Sequence, residues 1–386
     1  MRILVTTGPA YGLLNPVVPM AWALRSSGHD VLVAGPEPMA DMVNGSGLPF
    51  VPTWGYMHMK EVMLFDRAGN ALIPAPEEDA ALEQIGRGFG RLSARVLKRT
   101  MEVVESWQPD VVMAEPHLYA GGAAAAAFGI PWVEHGIGMG YRQQCDDWGV
   151  DEFRPELTEL GFDGLPAPAL ILDNCPPTVR RADAKPGVDM RYVAYDKPGT
   201  VPPWVFEKRS KPRLLLTLGT VEPKFVGVDS RQIGGGMPLF NELIRTLPTM
   251  GMELVIGASD EVVAQLGPLP DSVIAAGWLP LTSVLPAVDL AVHHVGAGTT
   301  MACLLAGLPQ LLISRNAEQT DTARRLNEFG AAKQIVSEDV DPSLILDAAR
   351  ILVEDDSYRK QAQVLREEVL SLPSPAQLVP LIEKLA

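Results

Sequence analysis

The sequence predicts an α/β protein in two domains. Three observations carry this. The chain has 386 residues, more than one ordinary hydrophobic core organises. Short apolar runs alternate with helical stretches, the pattern of parallel strands covered on both faces. The alternation stops at a segment with four prolines, DKPGTVPPWVFEKRSKP (196–212), and then restarts. Each half opens with a strand and a glycine turn, ILVTTG at 3–8 and LLLTLG at 214–219. Two open Rossmann-like domains follow, with ligands expected at the carboxyl ends of the strands.

The elements read in order. ILVTT (3–7) is a strand, and a helix runs from about Pro16 to Ser27, closed by Gly28. DVLVAG (30–35) is the second strand. A helix and a short strand, LPFVP, precede an irregular stretch at 52–77. Residues 78–107 form one long helix, loosened by Gly86, Gly88 and Gly90. DVVMAE (110–115), a small-residue helix (119–128) and IPWVEH (130–135) complete a β-α-β pattern. After the prolines, LLLTLG (214–219), MELVIG (252–257), SVIAA (272–276), DLAVHH (289–294) and PQLLI (309–313) are strands with helices between. The tail, 355–386, is mostly helical. The expected division is a first domain at 1–200, a linker at 201–211 and a second domain at 212–365. A helix at 366–386 is expected to pack back toward the first domain.

Composition removes several functions. The net charge of −15 leaves no basic excess for nucleic acid or an anionic membrane. Cys145, Cys175 and Cys303 are irregularly spaced, which fits neither a disulfide framework nor a zinc site and points to a reduced cytosol. MRILVTTG reads as a strand, not a signal peptide, and no run of 18 apolar residues predicts a membrane span.

The most informative segment is DLAVHHVGAGTTMACLLAGLPQLL (289–312). A buried strand leads into a glycine turn, Gly296-Ala297-Gly298, and an apolar helix starts near Thr299 and stops at Gly307. Free N–H groups of a first helical turn and the helix dipole favour an anion there, and glycines let a phosphate approach.

Gly219-Thr220, GWLP (277–280), VHHVGAGTT (292–300) and AEQTDTARRL (317–326) occur in that order, with AWALRSSGHDV (21–31) in the first half. In this combination the chain resembles the family 1, UDP-glycosyltransferase-like enzymes of GT-B fold, bacterial natural-product type, along almost its whole length. The resemblance implies two Rossmann-like domains facing across a cleft, an N-terminal acceptor-binding domain (1–200) and a C-terminal donor-binding domain (212–365). It implies that His294 contacts the donor diphosphate, with Gly219, Thr220, Gly296, Ala297, Gly298 and Thr299 around it. It places Trp278 against the nucleobase, the Leu279 backbone at the base edge, and Glu318 and Gln319 on the sugar hydroxyls. Glu318 stands where the family usually has Asp. The implied reaction is inverting transfer of a (deoxy)sugar from a TDP- or UDP-sugar co-substrate to an apolar aglycone, with no cofactor and no metal.

The first loop, TTGPAYGLLNPVVP (6–19), departs from the family. The position of the usual general-base histidine holds Leu13, and leucine accepts no proton. Glu115 and His135, ending their strands, are the replacement candidates, with Glu134 and His117 behind them; His58 lies in the Met-rich loop YMHMKEVMLF (56–65). Tyr11, Leu13, Tyr56, Met57, Met59 and Met63 are the expected acceptor-binding residues; Met-rich loops suit a flat apolar aglycone because they repack. An acceptor needing little help, or a helper protein, would also account for Leu13. An NDP-sugar-binding auxiliary subunit and an NDP-sugar epimerase on the same fold therefore stay open, as do a homodimer and an auxiliary protein partner.

Overall fold

A computed structural model of the chain describes residues 1–73, 75, 77–140, 142–217, 219, 236–336 and 341–386. It divides into two compact units, Met1–Lys197 with Ser371–Ala386, and Pro198–Leu370. Each is a parallel-sheet α/β unit, the class that the sequence predicts.

The first unit runs β1 (Arg2–Thr6), α1 (Tyr11–Leu14), α2 (Val18–Ser26), β2 (Asp30–Pro36), α3 (Ala40–Gly45), β3 (Phe50–Trp54), α4 (Met59–Met63), α5 (Glu78–Trp107), β4 (Val111–Ala114), α6 (Tyr119–Ala127), β5 (Trp132–His135), α7 (Gln143–Glu159), β6 (Leu170–Asp173) and β7 (Val188–Asp189). The sheet order is β3-β2-β1-β4-β5-β6-β7. Ile3, Leu4 and Val5 of β1 are buried, as a central strand covered on both faces requires.

Three expectations change here. The helix expected from Pro16 starts at Val18, and a separate turn of helix, α1, occupies the first loop. The stretch 52–77 is not wholly irregular, because α4 lies inside it with His58 and Glu61 forming its capping box. The glycines of α5 do not loosen it. A Cβ at Gly86 or Gly90 would strike the carbonyl of Cys145 or Gly149 on α7, so these glycines are notches that let the two helices close.

The second unit runs β8 (Arg213–Thr217), α8 (Gly236–Thr246), β9 (Glu253–Gly257), α9 (Asp260–Val263), β10 (Val273–Gly277), α10 (Leu281–Val284), β11 (Leu290–His293), α11 (Ala297–Leu305), β12 (Gln310–Ser314), α12 (Ala317–Phe329), β13 (Ala332–Val336), α13 (Pro342–Glu354) and α14 (Asp356–Ser371). Its order is β10-β9-β8-β11-β12-β13, all parallel. The last helix, α15 (Pro375–Glu383), belongs to the first unit. Its Leu378, Val379 and Ile382 are buried in the same core as Val18, Met20 and Leu24 of α2.

In both sheets the strand order reverses beside the first strand, at β1/β4 and at β8/β11. Ligands of open α/β sheets bind outside the carboxyl ends of the strands at such points. The reversal points lead to Gly8 and Glu115 in the first unit, and to Gly219 and His294–Gly298 in the second.

Candidate functional site

The second-unit site is built from three strand ends. β11 pairs with β8 through His293↔Thr217 and with β12 through His293↔Leu312. Continuing each register sets Gly219, Val295 and Ser314 at about one level, with Gly296 and Arg315 one step beyond. The His294 ring lies between two glycines. A Cβ at Gly296 would be 2.6 Å from its Nε2, and one at Gly219 would strike Cε1. Gly219 also has φ +69°, so its lack of a side chain is required twice.

Burial, and then the charge of Arg315, push the His294 pKa down to about 4. Burial thus leaves this histidine neutral, although the Thr217 carbonyl beside it favours its proton. α11 begins at Ala297, two residues before the expected start, so Gly298 lies within the first helical turn. No side chain caps that turn and it carries no acidic residue. The Thr300 N–H and hydroxyl both return to the Gly296 carbonyl, at 2.9 and 3.0 Å. The N–H groups of Ala297, Gly298 and Thr299 are the donors that a helix leaves unused at this end. A Cβ at Gly298 meets no atom within 4 Å.

Trp278 follows β10 and is 38% exposed, while Leu279 beside it is buried. Three strand spacings separate β10 from β11, about 14 Å, the scale of an extended nucleoside diphosphate. At the start of α12, the Asn316 Oδ1 accepts the Gln319 N–H, and the Gln319 Oε1 accepts the Arg315 N–H, both at 2.9 Å. The second bond engages the Gln319 carbonyl oxygen with Arg315, the residue before the N-cap. Glu318 is partly exposed in the same first turn, where the helix dipole favours its charge. Thr220 lies outside the described residues. Sequence reasoning missed Arg315. Its relevance comes from strand register, and its one local signal is a lone cation between a strand end and a helix cap.

The first-unit site has Glu115 directly after β4. The register Ala114↔Glu134 brings Glu115 level with His135. The Glu115 Oε2 accepts the His117 backbone N–H at 2.7 Å. Its Oε1 is buried and makes no hydrogen bond of normal geometry, although the nearby Gly8 N–H favours its charge. A Cβ at Gly8 would be 2.7 Å from Leu13 Cδ1, 3.1 Å from Leu92 Cδ2 and 3.3 Å from Glu115 Oε1. Two leucines and the carboxylate thus crowd around Gly8. Burial pushes the Glu115 pKa up to about 7, with the His117 charge opposing.

His117 is held by Asp146 Oδ1 at 2.9 Å, which also accepts the Tyr119 hydroxyl at 3.0 Å, and its ring stacks on Phe89. Burial works against its charged form, but Asp146 outweighs burial and the His117 pKa stands above its ordinary value. His135 is different. Its Nδ1 donates to the Gly136 carbonyl at 2.8 Å, its Nε2 is buried with no hydrogen-bond partner, and burial lowers its pKa to about 4. Glu134 pairs with Lys185 at 3.1 Å, and burial raises its pKa. Asn174, unremarked in the sequence, fastens the loop after β5, donating to the Gly136 carbonyl and accepting the Gly138 N–H.

The expected acceptor residues separate. Met57 is 1% exposed, in contact with Arg95, and Met63 packs where α5 has Gly88. Leu13 is also buried. Tyr56 is exposed, with its hydroxyl on His58 Nε2 at 2.7 Å, and Tyr11 and Met59 are partly exposed. His58 caps α4. Among the described residues no group of three His, Cys, Asp or Glu side chains is placed to hold a metal ion.

Comparison with known proteins covers both units. Residues 22–219 match the family described as erythromycin biosynthesis protein CIII-like, N-terminal domain, and residues 241–385 match its C-terminal domain. An L-demethylnoviosyl transferase of Streptomyces niveus is 34% identical over 97% of this chain and 96% of its own. The TDP-daunosamine transferase DnrS of Streptomyces peucetius is 30% identical over 100% of this chain and 97% of its own. Among solved structures, the glycosyltransferase SsfS6 of Streptomyces sp. SF2575, complexed with thymidine diphosphate, is 42% identical with a TM-score of 0.88, covering 100% of this chain and 99% of that one. The spinosyn rhamnosyltransferase SpnG complexed with spinosyn aglycone is 27% identical with a TM-score of 0.86, over 99% of this chain and 100% of that one. These structures share the GT-B fold.

Proposed function

The chain belongs to the erythromycin biosynthesis protein CIII-like family of glycosyltransferases, and from that premise we propose that it moves a deoxysugar from a thymidine diphosphate donor to an apolar aglycone, inverting the anomeric carbon. The observation that carries the donor assignment is the His294 ring, cradled by Gly219 and Gly296 beside the uncapped start of α11 at a strand-order reversal. The thymidine diphosphate solved with SsfS6 supports TDP over UDP. Relatives named as transferases support transfer over the auxiliary-subunit and epimerase readings.

In this reading the acceptor nucleophile attacks the anomeric carbon, the bond to the diphosphate oxygen breaks, and the diphosphate leaves with the electron pair. The first-turn N–H groups of α11, the neutral His294 and the Arg315 guanidinium stabilise the departing charge. Trp278 stacks on the base, and Glu318 takes the sugar hydroxyls. Glu115 accepts the acceptor's proton and passes it to solvent. Glu115 is the better base of the two candidates because a carboxyl with a pKa near 7 is about half ionised at neutral pH yet basic enough to take a proton, whereas His135, near 4, is a much weaker base. Leu13 and Leu92 lie beside Gly8 with that carboxylate and add apolar surface around it.

Tyr11, Tyr56 and Met59 are the side chains of the acceptor set with surface to offer an apolar aglycone. Three buried free thiols fit a reducing compartment, and no helix among the described residues is long and apolar enough to cross a membrane. The test runs the reaction backwards. The protein is mixed with TDP and glycosylated small molecules of varied aglycone, and the products are weighed by mass spectrometry. TDP-sugar should appear. Tight TDP binding with no turnover across the panel would overturn transfer and leave a sugar-nucleotide binder.

A further inference from the structure

Val295 is the strained link of the donor turn. It is β-branched, fully buried, and has φ +62°, a conformation that such residues avoid. It joins His294 to Gly296, whose Cα lies against the His294 ring. A change in the Val295 backbone would move both walls of the cradle.

His293 holds that backbone. The Val295 N–H donates to its Nδ1 at 3.2 Å, so Nδ1 carries no proton. The proton is then on Nε2, which donates to Gln310 Oε1 at 2.9 Å on β12. The imidazole is fixed at both nitrogens and has no surface. Burial and the neighbouring His294 push its pKa down to about 3, which keeps this single tautomer across the neutral range.

We propose that His293 is a positioning residue: it touches no substrate, but holds the Val295 peptide in its left-handed turn and so fixes the His294 ring between Gly219 and Gly296. A side chain here does what a glycine at 295 would do unaided. The proposal rests on the reading of His294 and the α11 start as the diphosphate site.

The test is TDP affinity by calorimetry, beside melting temperature, in the full chain. His293→Leu removes the acceptor for the Val295 N–H and should weaken TDP about tenfold, the equilibrium weight of a strained φ that nothing holds. His293→Asn puts Oδ1 near the lost Nδ1 and should keep most of the affinity. His293→Leu with Val295→Gly should recover TDP binding to within about threefold, because glycine takes φ +62° freely. Its melting temperature should stay low, since Gln310 remains unpaired. A merely structural histidine would give affinity and stability that fall and return together. Wild-type affinity in His293→Leu, or no recovery in the double variant, overturns the proposal. Should His293→Leu not fold, the same pair is made with His293→Phe, which fills the imidazole's space without an acceptor for the Val295 N–H. His294→Ala separates the two readings. If it binds TDP normally, the site assignment fails. If it binds weakly while His293→Leu is indifferent, only the positioning role fails.

Discussion

Replacing Glu115 by glutamine should make the protein more stable and much less active, with a stability gain that grows with pH. The carboxyl is fully buried, and its pKa stands at about 7 against an ordinary 4.5. Between those values the folded chain binds a proton that the unfolded chain has released. Stability therefore falls as pH rises through that window and stays lost above it. At about 1.36 kcal/mol per unit, the penalty is about 1 kcal/mol near pH 5 and about 3 kcal/mol near pH 8.5. Glutamine carries no such penalty. Its NH2 leaves two unpaired donors in the buried site near Gly8, but that cost does not change with pH. The pH-dependent gain is then about 2 kcal/mol, or about 4–8 °C in melting temperature for a unit of this size. Thermal melts of both proteins near pH 5 and near pH 8.5 read it directly. Turnover should fall about 10²- to 10⁴-fold if Glu115 is the base. An equal stability difference at both pH values would show that no proton is held at Glu115, and near-normal turnover would remove it as the base.

Three further outcomes are expected from the donor unit. Gly298→Val should abolish TDP binding, because its side chain fills the open space over the first turn of α11; unchanged affinity refutes the phosphate turn. Gly296→Ala places a Cβ 2.6 Å from His294 Nε2 and should weaken TDP about tenfold by displacing the ring. It should add nothing in a His294→Ala background, and full additivity by calorimetry would show that the glycine acts elsewhere. Trp278→Ala should weaken TDP by about tenfold, the worth of one stacked base, while inhibition by inorganic pyrophosphate stays constant; an equal loss for both ligands would remove the indole from the base.

The donor turn is legible in the sequence because its chemistry is contiguous. A buried strand, two histidines and a Gly-Ala-Gly turn occupy one short stretch, and backbone N–H groups need no distant partner. What depends on pairing between strands is not legible. Arg315 matters because β12 ends beside β11, and no local pattern announces that. The Gln319 oxygen bonds the Arg315 N–H, and Asn316 accepts the Gln319 N–H, contacts that no local pattern announces. The acceptor loop reads as an apolar lining, but Met57 and Met63 face the long helix, because the sequence pattern cannot say which side of a loop is wet. Leu13 is the opposite case. Its departure from the family is plain in the sequence, whereas its role beside a dry carboxylate needs the fold.

The return of α15 to the first unit has a consequence for biosynthesis. Residues 371–386 leave the ribosome only after the whole of 198–370, yet they supply Leu378, Val379 and Ile382 to the first unit's core. Multidomain chains generally fold their N-terminal domain first during synthesis. Here the second unit has its full set of residues while the first still lacks a helix, and the part of α2 that α15 covers stays open in the nascent chain until α15 emerges.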